Sequence, residues 1–599
     1  MLSYKAPIAD IKFLIEDVFD YYGHYKKYPE FEEATPDLND AILQECAKFC
    51  ENELLPLYQS GDKEGCTFDN GDVITPKGFK EAYNQYVEGG WQSLSHPVEH
   101  GGQGLPPSLG MAKSEMMGTA NWSWAMYPGL SHGAMNTVQT HGSDAQKELY
   151  LTRLTEGTWT GTMCLTEPQC GTDLGQVKTK AEPNEDGTYN ITGTKIFISA
   201  GEHDLSDNIV HIVIARIPGS PEGSRGISLF IVPKFNVTEA GEVADRNAVT
   251  CGSIEHKMGI NANATCVINF DGAKGYLIGE VNRGLNCMFT FMNAARLGVA
   301  SEGVAAADAS FQGALAYAQD RLQMRSLSGV KNPNGPADPI IVHPDVRRML
   351  LTQKSIAEGG RALIGYLAQL VDIGHASKDE AEVAAAESKL ALLTPIAKAF
   401  LTELGLECTS HGVQVFGGHG FIKEWGMEQL MRDTKISCLY EGTTGIQALD
   451  LLARKILGSK GAILKPFGAE VTAFCVENAG NEAMQEFIQP IMTFGGDWQK
   501  MTENLGLKAM QNPDEIGAAS VDYLMYSGYL TLAYFWAKMV KVSQDKIAAG
   551  EGDEAFYQAK IKTARFYFQR ILPRANGHAA CVANGADSMM ELDSEEFVF

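Results

Sequence analysis

One carboxylate stands where the sequence favours acid–base chemistry. Glu441 follows the apolar run Ile436–Tyr440 (ISCLY) and precedes Gly442 in the stretch YEGTTG. Because burial disfavours a charged carboxylate, a glutamate at the border of an apolar run is expected to have a raised pKa. Such a group suits removal of a proton from a weakly acidic C–H bond. The stretch by itself also fits a helix N-terminus with Glu in its first turn, so both interpretations stay open.

An aromatic and a hydroxyl side chain lie two residues apart in Lys195–Gly201 (KIFISAG). Alternate residues of a strand point to the same face, so Phe197 and Ser199 are expected side by side. That pair suits a flat heteroaromatic ring, which one residue contacts through its aromatic face and the other by a hydrogen bond. Ordinary core alternation is the competing interpretation.

Two further stretches could bring backbone groups close to a ligand. Met163–Thr172 (MCLTEPQCGT) has an irregular turn at Pro168 and Gly171, and a simple surface turn is the alternative. Gln414–Gly420 (QVFGGHG) has three glycines, which allow close backbone approach. It lacks the dinucleotide-binding Gly-x-Gly-x-x-Gly pattern, and a helix C-cap is the alternative. His419 is interpreted as a polar loop residue, because no metal-ligand spacing surrounds it.

Short β-branched runs predict a small antiparallel β unit in the middle of the chain. Apolar residues recur at three-four spacing over Asp40–Leu54, which predicts a helix before that unit. The run Thr265–Phe270 is predicted to end in a turn at Asp271-Gly272. Helical periodicity returns near Leu285 and continues through long Ala/Leu-rich segments.

These changes of pattern predict an α+β fold with five parts. They are an N-terminal extension (1–39), an N-terminal helical domain (40–160), a central antiparallel β domain (161–284), a C-terminal helical bundle (285–457) and an additional helical domain (462–599). The last part contains many large apolar residues, so its surface must be buried against the same chain or a partner.

Composition excludes several classes of protein. The 599 residues are 44% hydrophobic and 21% charged, which is typical of a globular protein and not of a disordered one. No apolar run reaches the roughly 18 residues that cross a membrane. The net charge of −25 opposes binding to nucleic acid and to anionic lipid, so neither is an expected partner.

Twelve scattered cysteines and the lack of a secretory signal favour a location in the cytoplasm. Cys46 and Cys50 are interpreted as core residues, and no metal is expected.

Taken together and in this order, the stretches resemble the acyl-CoA dehydrogenase family. The resemblance rests on MCLTEPQCGTD, TKIFISAGEHD, EHKMGINANATC, QVFGGHGFIKE, LMRDTKI and YEGTTGIQALD, and it covers about Gly90 to Leu457. The whole length is similar to the branch of roughly 600 residues with a C-terminal extension, to which the 3-methylmercaptopropionyl-CoA dehydrogenase-like enzymes belong.

The resemblance implies a noncovalently bound FAD and α,β-dehydrogenation of an acyl-CoA thioester to the 2-enoyl-CoA. Glu441 falls at the family's catalytic-base position and would remove the α-proton, while the β-hydride goes to FAD. The Glu441 backbone N–H and a flavin hydroxyl would polarise the thioester carbonyl. Further substrate contacts are implied for Thr172, Arg296 and Gly442. For Arg296, a salt bridge at a helix end is the alternative.

The same resemblance implies the cofactor-binding residues. Phe197 takes the place of the family's usual Trp, Ser199 that of its usual Thr, and Gly445 departs from the usual Gln or Glu. Residues expected at the flavin of the same chain are Met163, Leu165, Thr166, Thr172, Phe197, Ser199 and Thr443. Residues expected to reach the FAD of a neighbouring subunit are Arg321, Gln323, Gln414, Gly417 and Gly418.

Several alternatives stay open. Electrons would pass to an electron-transfer flavoprotein, or to oxygen if the chain is an acyl-CoA oxidase. A noncatalytic binding role is a third hypothesis, against which Glu441 argues. The substrate is either 3-methylmercaptopropionyl-CoA or a medium- or long-chain fatty acyl-CoA of β-oxidation. The shared flavin implies a homo-oligomer, and an extension that covers the bundle would limit it to a homodimer.

Overall fold

The computed structural model describes residues 3–598, which form two compact units. One unit contains residues 30–298. The other joins residues 3–29 to residues 299–598. The N-terminal segment therefore folds with the C-terminal half of the chain and not with the residues that directly follow it.

The N-terminal helices include the one predicted over 40–54. They are α1 (Ile8–Lys12), α2 (Tyr21–Tyr25), α3 (Pro36–Phe49), α4 (Pro56–Glu64), α5 (Phe79–Glu88), α6 (Pro107–His141) and α7 (Asp144–Glu156). Helix α3 begins where Thr35 accepts a hydrogen bond from the Leu38 amide (3.4 Å), and a π-helical turn continues it to Leu54. Cys46 and Cys50 are buried core residues. Within residues 3–598, no cluster of three or more metal-binding side chains occurs.

The central part of the chain is a seven-stranded sheet with two small two-stranded sheets. The strands are β1 (Thr67–Asp69), β2 (Asp72–Ile74), β3 (Trp159–Cys164), β4 (Lys180–Pro183), β5 (Tyr189–Ser199), β6 (Asn208–Ala215), β7 (Ser228–Pro233), β8 (Phe235–Val237), β9 (Val243–Arg246), β10 (Val249–Ile254) and β11 (Thr265–Ile278). The order in the large sheet is β3-β6-β7-β11-β5-β4, and β10 also pairs with β11.

The predicted antiparallel arrangement holds for every pair of this sheet except β3 with β6, which is parallel. A long connection that contains β4 and β5 separates these two strands, which a parallel pair requires. Alternate residues of β6 pack into two different hydrophobic clusters. The strand is therefore buried on both faces, and α6 and α7 cover one of them.

The prediction that strand β11 ends in a turn at Asp271-Gly272 is wrong. Strand β11 continues through these residues to Ile278, and the register with β5 shifts between Asp271 and Ala273. Gly272 has φ +76°, a backbone conformation that glycine adopts at little cost. The Asp-Gly pair therefore forms a β-bulge, and one long strand pairs with both β5 and β7.

The remaining helices belong to the second unit from residue 299 onward. They are α8 (Gly284–Asp320), α9 (Pro344–Ala376), α10 (Glu380–Phe416), α11 (Met427–Lys435), α12 (Thr444–Leu449), α13 (Leu464–Glu477), α14 (Gln485–Ala509), α15 (Asp514–Ala549), α16 (Glu554–Phe566), α17 (Ala575–Asn584) and α18 (Asp587–Met590). A π-helical segment, Asp450–Leu457, continues α12. Helix α10 packs along α9. None of the helices in the described part of the chain is long and apolar enough to cross a membrane.

The additional C-terminal helices pack against the bundle. Helix α15 contacts α9, α10 and α12. Trp536 is fully buried and donates a hydrogen bond to the Ser355 carbonyl at 3.1 Å. Most of the large apolar residues of this part are buried, as the sequence predicts. Exceptions include Val476, Leu507 and Met510, with exposed fractions of 65%, 64% and 84%, and Met492, with 45%.

A buried cluster of charged residues joins the N-terminal segment to the bundle and to the additional helices. Asp10 forms ion pairs with Arg361 on α9 and Lys560 on α16. Arg361 also contacts Asp308 at 2.9 Å, and Lys560 contacts Glu358 at 2.9 Å. Burial raises the pKa of Asp10, but the two cations and their hydrogen bonds outweigh it and lower that pKa from 3.8 to about 2.

We predict that Asp10→Asn destabilises the protein by about 3–5 kcal/mol, because the buried Arg361 and Lys560 lose the counter-charge that they share and keep only Asp308 and Glu358. Urea unfolding measures the loss. Asp17→Asn is the matched control, since Asp17 pairs with Lys546 at 2.9 Å but is partly exposed, and it should cost at most about 1 kcal/mol. The Asp10 contribution is fully present above pH 3.8 and is lost as the pH falls through about 2. Equal losses in the two variants would contradict this prediction.

Candidate active site

The loop after β3 carries the first group of predicted site residues. A tight turn forms where Glu167 and Cys170 exchange two backbone hydrogen bonds of 2.9 and 3.0 Å. Met163, Leu165 and Thr166 lie half-buried before this turn, and Thr172 is exposed after it. The Thr166 carbonyl accepts a hydrogen bond from the Ile196 amide at 2.9 Å, which holds the loop beside β5.

A buried ion pair anchors this loop. Glu167 and Lys195 are almost fully buried, and Lys195 Nζ lies 2.8 Å from Glu167 Oε1 and 3.0 Å from the Leu165 carbonyl. Glu167 also accepts hydrogen bonds from the Lys178 amide and from the amide and hydroxyl of Thr179. Burial raises the pKa of Glu167, but Lys195 and these donors outweigh it and lower that pKa to about 2.

Phe197 and Ser199 lie at the end of β5, where the strand is irregular. Two residues, Ile196 and Phe197, oppose one residue of β11, so the strand contains a bulge. Phe197 has φ +59° and an exposed fraction of 58%, whereas Ile198 is buried and Ser199 half-buried. The bulge turns an aromatic ring outward in a conformation that is strained for a residue with a β-carbon.

The residues predicted to reach a neighbouring flavin lie in the other unit. Arg321 directly follows α8, and its carbonyl accepts a hydrogen bond from the Ile340 amide at 2.8 Å. Gln323 donates its amide to the Asp338 carbonyl at 2.9 Å. The buried Asp338 carboxylate accepts hydrogen bonds from the amides of residues 326, 331 and 332, which organises the loop. The side chains of Arg321 and Gln323 are exposed.

The glycine-rich stretch lies beside the end of α8. Gln414 is exposed in the last turn of α10, and the exposed Gly417 and Gly418 follow it. Gly417 has φ +58°. Tyr317 stacks on Phe416 at 4.1 Å between ring centroids and shares a 3.0 Å hydrogen bond with His419. The structure therefore brings the Arg321 and Gln414–Gly418 segments together and gives His419 a structural partner.

Glu441 lies in a turn between α11 and α12, which we call the Glu441 turn (residues 437–443). Thr443 is the N-cap of α12 and accepts a hydrogen bond from the Ile446 amide at 3.3 Å. Glu441 therefore precedes the helix, and the alternative interpretation of a first-turn glutamate is wrong. Glu441 has φ +55° and Gly442 has φ +92°, so two successive residues are left-handed.

Buried side chains from several helices hold this turn. Tyr440 donates its hydroxyl to Glu302 of α8 at 2.6 Å, and Gln447 of α12 donates to the Glu441 carbonyl at 2.9 Å. Lys398 of α10 donates to the carbonyls of Ser437 and Gly442 at 2.7 and 2.6 Å. Burial raises the pKa of Glu302 well above its usual range, although Tyr440 and Lys398 act in the opposite direction.

Arg296 lies in the interior of α8 and is 8% exposed. Arg296 therefore does not lie at a helix end, where the alternative interpretation placed it. Arg296 belongs to the unit of residues 30–298, together with the Met163–Thr172 loop and β5. Glu441, Gly442, Thr443 and the segments near Arg321 and Gln414 belong to the other unit.

Sequence reasoning missed the residues that support these segments, among them Glu167, Lys195, Glu302, Lys398 and Gln447. A partial signal exists for Lys398 and Glu302, because a lone charge within an Ala/Leu-rich helical stretch is unusual. Nothing in the sequence indicates which carbonyls lie near such a charge, since its partners are distant along the chain.

Four family models match consecutive parts of the chain. They are the acyl-CoA dehydrogenase N-terminal domain (residues 36–158), middle domain (162–273) and C-terminal domain (282–457), and an acetyl-CoA dehydrogenase C-terminal-like domain (467–593). The chain belongs to the acyl-CoA dehydrogenase family. It is a flavin-dependent oxidoreductase that acts on CH–CH bonds.

The chain is similar along its whole length to enzymes of this family. It is 43% identical to 3-methylmercaptopropionyl-CoA dehydrogenase of Ruegeria pomeroyi, over 98% of this chain and 99% of that protein. It is 33% identical to a broad-specificity linear acyl-CoA dehydrogenase of Mycobacterium tuberculosis, over the full length of both. The fold matches that of an acyl-CoA dehydrogenase from Bacillus anthracis complexed with FAD, with a TM-score of 0.74, 21% identity and coverage of 96% and 91%.

The residues present fit FAD, which is the cofactor of this enzyme. An outward-facing aromatic ring at Phe197 and the hydroxyls of Thr166, Thr172 and Ser199 are groups that suit a planar heteroaromatic ligand. At Gly417 and Gly418, an added β-carbon would meet no atom within 4 Å, so the backbone is open to a ligand there.

We predict that Glu167→Gln destabilises the protein by about 3–5 kcal/mol, because Lys195 keeps a buried charge without its counter-ion. The loop beside β5 then loses its anchor, and less FAD remains bound. The measurement is flavin absorbance per protein after gel filtration, together with urea unfolding. Glu185→Gln changes an exposed carboxylate between β4 and β5 and serves as the control. Full flavin retention and unchanged stability in Glu167→Gln would contradict the anchoring role.

Proposed function

We propose that this enzyme dehydrogenates 3-methylmercaptopropionyl-CoA to the corresponding 2-enoyl-CoA. The observation that supports this substrate is the 43% identity to 3-methylmercaptopropionyl-CoA dehydrogenase over nearly the full length of both chains. Linear fatty acyl-CoA is the second candidate, because the chain is 33% identical to a broad-specificity linear acyl-CoA dehydrogenase and to a butyryl-CoA dehydrogenase.

Glu441 is proposed as the base that takes the α-proton from the thioester. Its backbone N–H is proposed to donate to the thioester carbonyl, which stabilises the negative charge that develops there. The observation in favour is the strained, left-handed Glu441, which buried side chains hold in one place before the start of α12. Bound FAD supplies the oxidant that accepts two electrons and the β-hydrogen.

The remaining site residues have proposed roles in binding. Met163, Leu165, Thr166, Thr172, Phe197, Ser199 and Thr443 are proposed to hold the flavin of the same chain. Arg321, Gln323, Gln414, Gly417 and Gly418 are proposed to reach the FAD of a second subunit, and their exposure supports this. Thr172, Arg296 and Gly442 are proposed substrate contacts. An electron-transfer flavoprotein is the proposed acceptor, and reduced cysteines support a cytoplasmic location.

Anaerobic flavin bleaching tests this function. We predict that 3-methylmercaptopropionyl-CoA bleaches the flavin fastest in a panel that includes butyryl-, octanoyl- and palmitoyl-CoA. Glu441→Gln should still bind FAD and acyl-CoA but bleach roughly 10² to 10⁴-fold more slowly, since it lacks the base. Glu424→Gln, which changes an exposed carboxylate just before α11, is the control.

Three results would argue against this proposal. A wild-type rate of flavin bleaching in Glu441→Gln would show that Glu441 is not the base. A clear preference for a linear acyl-CoA would replace the substrate by the second candidate. Rapid oxygen consumption with acyl-CoA would replace the flavoprotein acceptor by oxygen.

The assembly is proposed to be a homodimer. Helix α15 and its neighbours cover α9, α10 and α12 of the bundle, which supports a surface closed to further subunits. Arg574 of this part contacts Glu407 of α10 at 2.8 Å, and Tyr366 of α9 donates to Glu470 at 2.6 Å.

We predict a dimeric mass for the intact protein by light scattering. A variant that ends near Gly461 should form tetramers or aggregate, because truncation exposes the apolar bundle surface. The intact chain at matched concentration is the control. A tetrameric mass for the intact protein would contradict the proposal, as would an active monomer that retains FAD.

A further inference from the structure

Helix α10 carries a fully buried lysine that the proposed reaction does not use. Lys398 has no exposed surface and lies in an apolar part of the helix, between Ile396 and Phe400. A buried ammonium is costly unless hydrogen bonds replace its lost hydration. Its hydrogen bonds go to the carbonyls of Ser437 and Gly442, at 2.7 and 2.6 Å.

These two carbonyls lie at opposite ends of the segment that contains Glu441. One ammonium group therefore joins both ends of the Glu441 turn and fixes its width. Hydrogen bonds from a charged donor are about twice as strong as neutral ones, and a buried setting strengthens them further. Left-handed residues that carry a β-carbon cost on the order of 1–3 kcal/mol, so the conformation of Glu441 needs such support.

Other contacts hold single points of the same turn. Gln447 bonds the carbonyl of Glu441, and Tyr440 bonds Glu302. Gln447 lies on the helix that directly follows the turn, and the Tyr440 contact with α8 holds a side chain and not the backbone. Lys398 bonds the backbone on both sides of Glu441 from a different helix.

We propose that Lys398 is a positioning residue for Glu441: its ammonium holds the turn in the shape that aims the carboxylate at the α-carbon of the acyl-CoA. The inference rests on the proposed function, in which Glu441 is the base. Lys398 touches neither substrate nor cofactor in this role. A displacement of about 1 Å at a reacting group costs on the order of 10² in rate, so loss of the clamp is measurable.

The test separates proton removal from oxidation. The probe is an acyl-CoA with sulfur in place of the β-carbon, which has an acidic α-proton but no β-hydrogen to lose. Incubation of holoenzyme with this probe in D₂O exchanges the α-proton for deuterium, and mass spectrometry gives the rate. Probe affinity, bound FAD and melting temperature are measured for each variant.

Lys398→Met keeps the length of the side chain and removes both hydrogen bonds. We expect α-proton exchange to slow by about 10²-fold or more, with probe affinity and FAD content changed less than about threefold. Lys398→Gln retains a donor for one carbonyl and should lie between wild type and Lys398→Met. Lys398→Gln is also the test variant if Lys398→Met does not fold.

Lys389→Met is the matched control on the same helix. Lys389 is half-buried, lies nine residues before Lys398 on α10, and pairs with Glu470 of α13. This variant removes a charge from α10 and weakens its contact with α13, but it should exchange the α-proton at the wild-type rate. A general loss of helix stability would instead slow both lysine variants.

The outcomes distinguish this inference from the proposed function. If Glu441→Gln abolishes exchange while Lys398→Met exchanges at the wild-type rate, the positioning role is overturned and the base assignment stands. Equal losses of exchange and probe affinity in Lys398→Met would also overturn it, because they indicate a structural role. If Glu441→Gln exchanges at the wild-type rate, the base assignment and the inference that rests on it both fail.

Discussion

The backbone of Glu441 is the constraint on which the second unit depends most. A glutamate with φ +55° followed by a glycine with φ +92° is not a conformation that a free chain would keep. It persists only because the surroundings determine it from several sides. Helices α8, α10 and α12 each provide one buried polar side chain for that purpose, so their mutual packing decides where the carboxylate points.

The additional C-terminal helices then have a role beyond covering apolar surface. Helix α15 packs on both α10 and α12, and Gly528 lies so close to Phe400 that a β-carbon would overlap its ring. Helix α15 thus holds in place two of the helices, α10 and α12, that hold the Glu441 turn.

The other unit solves a similar problem with a similar device. Phe197 is also left-handed, and a β-bulge places its ring outward at the end of β5. The buried pair of Glu167 and Lys195 holds the preceding loop against that same strand. In both units an irregular segment carries the predicted site residues, and a buried lysine bonds the backbone beside it. Lys195 bonds one carbonyl and the Glu167 carboxylate, whereas Lys398 bonds two carbonyls. A lysine suits this task because its ammonium has three donors on a flexible stem and can satisfy two acceptors at once.

The parts of the fold that depend on local pattern could be predicted from the sequence. The long helices, the β unit and the apolar C-terminal helices follow from periodicity, and the six motifs taken together in their order indicated the family. The errors have physical causes. Asp271-Gly272 has the composition of a turn, but it forms a bulge because β11 gains more pairing by continuing to β7. The parallel pairing of β3 with β6 depends on a connection whose path no local pattern encodes. Lys398 bonds carbonyls about forty residues away, and hydrogen bonds between distant segments leave no trace in a single sequence.

The buried charges around Asp10 show how three distant segments become one unit. Asp10 comes from the N-terminal segment, Arg361 from the bundle and Lys560 from the additional helices.

Apolar residues could fill the same space with equal or greater stability, since buried ion pairs contribute little once desolvation is counted. Charged groups differ in that each tolerates burial only beside its partners. Apolar helices can slide along one another at small cost, whereas a displaced α16 would separate Lys560 from Asp10 and Glu358 and leave Asp10 with Arg361 alone. The cluster therefore specifies one arrangement of the N-terminal segment, α9 and α16, and that arrangement supports α15 against the helices that hold Glu441.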